Sequence, residues 1–174
     1  MRRLSELPGR AVVAADTGEK LGTVSDVLID PQGRRIVGFI VGGQLLTSER
    51  VVPSENVQAV GDAVVVRSHD GVVGAREWRE GDSDSIRSST LKNKLVMTVG
   101  GRRLGVIKDV LVEERSTVIT GYEVSGGTLA GLLTRRNLIP ESTDIRIGPD
   151  AVVVSEDAAR ELESGPAPTE SAPR

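Results

Sequence analysis

Short apolar stretches recur along the chain, separated from one another by polar and glycine-rich residues. The stretches consist mostly of valine, isoleucine and leucine, and β-branched side chains pack well on a pleated sheet. The separators include Asp16-Thr17-Gly18 and Asp30-Pro31-Gln32-Gly33, which provide the glycine and proline that tight turns require. Turn signals spaced by roughly 8 to 12 residues are typical of a small sandwich or barrel. We therefore predict an all-β protein.

The same succession of stretches occurs twice. Blocks of the first half have counterparts in the second half, in the same order and with only small gaps between them. The aligned blocks are 7–13 with 91–97, 20–30 with 103–113, 36–39 with 119–122, 51–53 with 138–140, and 62–66 with 150–154. Two copies are too few for a solenoid, which needs about three repeats. We predict two tandem small antiparallel β-barrels that lie side by side as separate units.

This repeat divides the chain into four segments. Residues 1–67 and 87–155 are predicted to form the two barrel domains, and residues 68–86 a polar linker between them. Residues 156–174 are predicted to form a short helix followed by a disordered acidic tail, because a proline-rich polar stretch follows the helical pattern.

Composition narrows the possible functions. The chain has no cysteine, which excludes disulfides and thiolate chemistry, and it has one histidine. The net charge is −3, and the acidic excess lies in the tail, so no basic face for nucleic acid is evident. Apolar runs are too short to span a bilayer, and the N-terminus lacks the apolar stretch of a signal peptide. We expect a cytoplasmic protein.

Two sequence elements resemble a known family. Residues 7–13 and 17–30, with a Gly-x-Val-x-Asp-Val pattern, resemble the PRC-barrel domain, and residues 104–112 resemble it again in the second copy. The resemblance covers about residues 4–67 and 87–155 and implies a small, largely antiparallel β-barrel. Such domains occur in the photosynthetic reaction centre H subunit, in a ribosome-maturation factor and in many bacterial and archaeal proteins. They dock onto other proteins and share no catalytic residues.

Three polar residues, His69, Asp26 and Asp109, are candidates for catalytic or metal sites. His69 has neither a second histidine nor a cysteine elsewhere in the sequence, which favours a surface turn over a general base or metal ligand. Asp26 and Asp109 occupy equivalent places inside apolar stretches. They could bind a cation or a basic partner, but we favour carboxylates that accept backbone N–H bonds at a bulge or turn. No catalytic residue, metal site or cofactor is predicted.

Positions where the copies differ suggest partner contacts. If Phe39 and Val41 point inward, Ile40 points outward, and its equivalent is Glu123. An outward isoleucine suggests a surface covered by the other barrel or by a second chain, although single exposed apolar residues are common. Trp78 is the only tryptophan and lies in the linker; it is either an interface residue or an anchor that fixes the linker between the barrels.

The second copy also contains an inserted apolar loop, 127–137, that ends in paired arginines. It is either a docking element, able to contact a partner or a membrane surface, or a plug that folds over its own barrel. Its candidate partner-binding residues are Leu129, Leu132, Leu133, Arg135 and Arg136.

The function predicted from the sequence is a non-catalytic protein-binding or scaffolding module, with self-association as one possibility. The alternative is an accessory factor in RNA metabolism or ribosome assembly that binds a ribosomal protein or RNA. Arginine pairs such as Arg34-Arg35 and Arg102-Arg103 permit this alternative. An enzyme ranks last, because no nucleophile with an activating base can be assembled from the sequence.

Overall fold

The computed structural model describes residues 1–42, 48–81, 84–126, 137–140 and 144–164, and most of its regular elements are short strands. The predicted tail and the loop residues 127–136 lie outside the described residues. The strands and helices are β1 (Arg2–Arg3), β2 (Ala11–Ala14), β3 (Lys20–Ile29), β4 (Ile36–Gly42), β5 (Arg50–Pro53), β6 (Val57–Val60), β7 (Val64–Val66), β8 (Val73–Gly74), α1 (Ala75–Gly81), β9 (Ile86–Arg87), β10 (Leu95–Thr98), β11 (Arg103–Val112), β12 (Ile119–Ser125), β13 (Asn137–Pro140), β14 (Ile145–Ile147), β15 (Ala151–Val154) and α2 (Glu156–Ser164).

Each copy forms one curled sheet around a long strand, which is β3 in the first copy and β11 in the second. The first sheet runs β6-β7-β2-β3-β4-β5-β8, and the second runs β13-β12-β11-β10-β15-β14. Most neighbours are antiparallel, but β2–β7 and β10–β15 pair in parallel. The predicted all-β class and the tandem repeat are confirmed.

The two copies exchange their entry strands. Strand β1 lies at the start of the first copy but pairs with β11 of the second, with Arg2 opposite Val112. Strand β9 lies at the start of the second copy but pairs with β3 of the first, with Ile86 opposite Ile29. Each of these strands leads into a short 3-10 turn, Leu4–Glu6 or Ser88–Thr90. The exchange is reciprocal, since each copy receives a strand from the start of the other.

A second contact joins the copies where the β3–β4 and β11–β12 turns meet. Arg35 and Val118, which are equivalent positions in the repeat, form an antiparallel bridge. The N–H of Ile36 donates to the Thr117 carbonyl at 2.7 Å, and the N–H of Ile119 donates to the Arg34 carbonyl at 2.9 Å.

One hydrophobic core serves both copies. A single cluster of buried side chains includes Leu7 and Phe39 from the first copy together with Leu91, Ile107 and Tyr122 from the second. The expectation of two separate barrels is therefore corrected: the copies are distinct in sequence but share their apolar interior. The reason is the exchange of entry strands, which brings Leu4 and Leu91 into the space between the sheets.

The segment predicted as a polar linker is itself structured. Strand β8 pairs with β5, with Val73 opposite Val51, and helix α1 follows it directly. Strand β9 closes the segment by pairing with β3. Strands β8 and β9 thus extend the first sheet, and α1 covers part of its outer face.

Candidate functional site

A cleft of about 470 Å³ opens between the two copies; we call it the inter-copy cleft. The 3-10 turns Leu4–Glu6 and Ser88–Thr90 and the middle portions of strands β3 and β11 line it. This volume falls within the range of about 300 to 1,000 Å³ that is usual for ligand sites.

Asp26 holds one side of the cleft together and is only 7% exposed. Its Oδ1 atom accepts hydrogen bonds from the Ser88 hydroxyl at 2.6 Å, from the Ser89 backbone N–H at 3.2 Å and from the Val27 backbone N–H at 2.8 Å. Its Oδ2 atom accepts from the Ser89 hydroxyl at 2.6 Å. Because the serines belong to the second copy, this carboxylate of the first copy fixes the entry turn of the other.

Asp109 makes the equivalent contact in the opposite direction. It accepts bonds from the Ser5 backbone N–H at 3.2 Å, from the Ser5 hydroxyl at 2.5 Å and from the Val110 backbone N–H at 2.9 Å. A register shift in the β-ladder precedes both aspartates, and a bulge of this kind re-aims a side chain. Both aspartates therefore accept backbone N–H bonds, as the sequence indicated, and the donors from the other copy were not foreseen.

Charge is distributed unequally around the inter-copy cleft. Lys92 and Lys108 line it from the second copy, whereas the equivalent positions of the first copy are Pro8 and Ser25. Both lysines are exposed, and neither forms an ion pair or side-chain hydrogen bond among the described residues. Sequence reasoning missed these two lysines. The signal was present, because both are positions where the aligned copies differ.

His69 lies on the first copy, in a turn that Asp16 closes. Its Nδ1 atom is 3.0 Å from Asp16 Oδ2, and its backbone N–H donates to Asp16 Oδ1 at 3.0 Å. The Ser68 hydroxyl donates to the same carboxylate at 3.1 Å. Because Ser68 bonds to Asp16 and the His69 Nε2 atom faces Asp70 at 3.1 Å, no serine–histidine nucleophile pair forms here.

The His69 pKa is expected to lie above its ordinary value of 6.5, because the Asp16 hydrogen bond and the nearby Asp70 charge favour the imidazolium. The same contact lowers the Asp16 pKa below 3.8. The pair therefore stabilises the fold at pH values between the lowered pKa of Asp16 and the raised pKa of His69. The histidine contribution is lost as the pH rises through the His69 pKa, and the aspartate contribution is lost as the pH falls through the Asp16 pKa.

NMR titration of the single histidine measures this shift directly. Asp16→Asn should return the His69 midpoint toward 6.5, and Asp150→Asn, the same substitution at an exposed position of the second copy, serves as the control. An unchanged midpoint in Asp16→Asn would contradict the contact.

Ile40 and Trp78, two of the predicted partner-binding residues, lie together. Ile40 is 2% exposed and belongs to a small cluster with Leu28, Val37 and Val51, against which Trp78 of α1 packs. The outward face inferred at Ile40 is therefore covered, but by the chain's own helix. A partner contact at Ile40 would first require this helix to move away.

Trp78 fluorescence is expected to report this packing, because the indole is half-buried in the folded protein. The emission maximum should lie at shorter wavelength in buffer than in denaturing urea, and iodide should quench the folded protein less. Since this is the only tryptophan, the signal needs no correction. Equal maxima in both states would show that α1 does not pack on the sheet.

The remaining predicted partner-binding residues, Leu129, Leu132, Leu133, Arg135 and Arg136, lie outside the described residues. Among the residues that are described, no group of three or more histidine, cysteine or acidic side chains could hold a metal ion. Within the same part of the chain, no helix is long and apolar enough to cross a membrane.

Comparison with known proteins identifies the family. The model of the PRC-barrel domain matches residues 1–73 and again residues 83–161. The chain belongs to the PRC-barrel family. Its exchanged entry strands β1 and β9 both lie inside these two matches, so each PRC-barrel unit includes a strand that it lends to the other.

One curated relative is a Haloferax volcanii protein named 1-phosphofructokinase. It is 30% identical over 128 residues, which cover 65% of this chain and 41% of the relative. The chain thus spans less than half the length of that relative.

Proposed function

We propose that this tandem PRC-barrel protein is a non-catalytic binding module that holds a partner protein in the inter-copy cleft. The observation that carries the proposal is the construction of the cleft. Asp26 and Asp109 fix its two entry turns across the copies, so its shape is set before any partner arrives. A site that is already ordered loses less conformational entropy on binding.

The chemistry of the cleft favours binding over catalysis. Its carboxylates already accept hydrogen bonds from serine hydroxyls and backbone N–H groups, and so are not poised to take a proton from a substrate. The lining contains hydroxyl and ammonium groups but no histidine. A docking role also agrees with the wider PRC-barrel family.

Affinity capture with the full chain tests this proposal. Ser25 is exposed on β3 and lines the cleft, so Ser25→Tyr should fill the cleft without disturbing the core. Proteins retained from native cell extract by the unmodified chain should be reduced about tenfold or more by this variant, since a blocked site cannot seat its partner.

The matched control is Gln58→Tyr, which adds the same side chain at an exposed strand position away from the cleft. It should retain the same proteins as the unmodified chain. Nuclease treatment of the extract removes any capture that depends on RNA. Equal retention by Ser25→Tyr and the unmodified chain would contradict binding in the cleft.

A further inference from the structure

The floor of the inter-copy cleft is apolar and comes from both copies. Leu4, Leu91, Ile107 and Val110 all line the cleft, and each is at most 3% exposed. Because almost none of their surface is exposed, an aliphatic group above this floor gains its apolar contact mainly from exposed Pro8 and from the aliphatic stems of Lys92 and Lys108, which border the same cleft. Burial of such a group is favourable by the hydrophobic effect.

The rim of the cleft has a different character. Asp26 and Asp109 contribute negative charge, but their oxygen atoms already accept four and three hydrogen bonds from the protein, respectively. A carboxylate whose oxygens are so fully occupied offers little to a ligand cation. The charged groups left open to a ligand are the ammonium groups of Lys92 and Lys108.

These lysines are a property of the second copy alone. The repeat places Pro8 opposite Lys92 and Ser25 opposite Lys108, so the fold accepts a neutral residue at either place. An ammonium is therefore not required by the architecture, and two of them converge on the same cleft. The carboxylate that fixes an entry turn is present in both copies, as Asp26 in the first and Asp109 in the second.

We propose that the inter-copy cleft binds an acidic peptide segment of the partner, with an aliphatic side chain on the cleft floor and carboxylates beside Lys92 and Lys108. This inference rests on the proposed protein-binding function and specifies its ligand. Charge complementarity selects the carboxylates, and the apolar floor selects the neighbouring aliphatic residue. The cleft volume of about 470 Å³ accommodates one such side chain with its flanking backbone.

Two blocked peptides test the proposal on the full, isotopically labelled chain. One contains a leucine followed by two glutamates, and the other replaces both glutamates with glutamine. The acidic peptide should shift backbone NMR signals around the Ser88–Thr90 turn and the middle of β11 and bind about tenfold more tightly than the neutral one. Its affinity should fall as salt is raised, because exposed charges are screened.

The variant Lys92→Ser with Lys108→Ser should remove the preference for the acidic peptide. Lys108→Ser installs the residue that the first copy already has at this place, so the fold is expected to persist. Lys20→Ser is the matched control, because Lys20 is an exposed strand lysine outside the cleft and should leave the preference intact.

The outcomes separate the two proposals. If the neutral peptide binds equally well at the cleft, or if the double variant keeps the preference, the acidic ligand is refuted while protein binding stands. If neither peptide shifts the cleft signals but Ser25→Tyr abolishes capture from extract, the acidic ligand is again refuted alone. If there are no shifts and Ser25→Tyr retains the same proteins, both proposals fail.

Discussion

Asp26→Ala is expected to lower the free energy of unfolding by about 3 kcal/mol, because it leaves several donors without their acceptor in a largely buried place. The donors are the two serine hydroxyls and the backbone N–H of Ser89, all from the other copy, and the N–H of Val27. Equilibrium urea denaturation, followed by circular dichroism, measures the loss. The variant should unfold at a lower urea concentration, while the slope of the transition stays nearly the same.

Asp109→Ala is the matched control within the same molecule. Asp109 is more exposed than Asp26 and accepts one bond fewer, so its loss should be smaller, about 1 to 2 kcal/mol. Equal effects of the two variants would show that burial of the carboxylate does not set the cost. A loss below about 1 kcal/mol for Asp26→Ala would contradict the role of this residue in joining the copies.

The sequence was sufficient to predict the strands and their doubling, because both follow from local pattern. Alternation of apolar residues and turn signals are set within a few neighbouring positions, and the repeat preserves them in order. The capping role of Asp26 and Asp109 was also accessible, since a carboxylate inside an apolar strand needs hydrogen-bond donors.

The exchange of entry strands was not accessible from the sequence. Strands β1 and β9 have two residues each, which is too short for any periodicity. Their partners lie in the other copy, and a repeat pattern does not say whether a strand pairs within its own copy or across. The cleft, which exists only because of this exchange, therefore remained hidden, although its aspartates were noticed.

At Ile40 the sequence left two interpretations open, a covered surface or a singly exposed isoleucine. In the structure Ile40 is buried, and Trp78 of α1 packs against its cluster. The sequence did not predict that α1 covers this face. The helix has only seven residues, several of them charged, and such a pattern is typical of a linker. Such a short helix is stable through tertiary packing, here of Trp78 against the sheet.

A shared core has consequences that separate barrels would not have, and Tyr122 is the residue that tests them. Its ring is 1% exposed in the core of the second copy, and its hydroxyl donates to the Gly33 carbonyl of the first. Burial raises the Tyr122 pKa well above its usual range, so the hydroxyl remains a donor at all ordinary pH values. This single side chain fills the interior of one copy and bonds to the turn of the other.

Tyr122→Ala is expected to lower the free energy of unfolding by about 4 kcal/mol, because it removes a large buried ring and leaves a cavity. Tyr122→Phe keeps the ring and loses only the hydrogen bond to Gly33, so its cost should be about 1 kcal/mol. Both losses should appear as one shifted transition, detected equally by Trp78 fluorescence in the first copy and by circular dichroism of the whole chain. If Tyr122→Ala instead produced two transitions, with the Trp78 signal unshifted, the copies would unfold independently. The shared core, and with it a cleft whose shape depends on both copies, would then have to be abandoned.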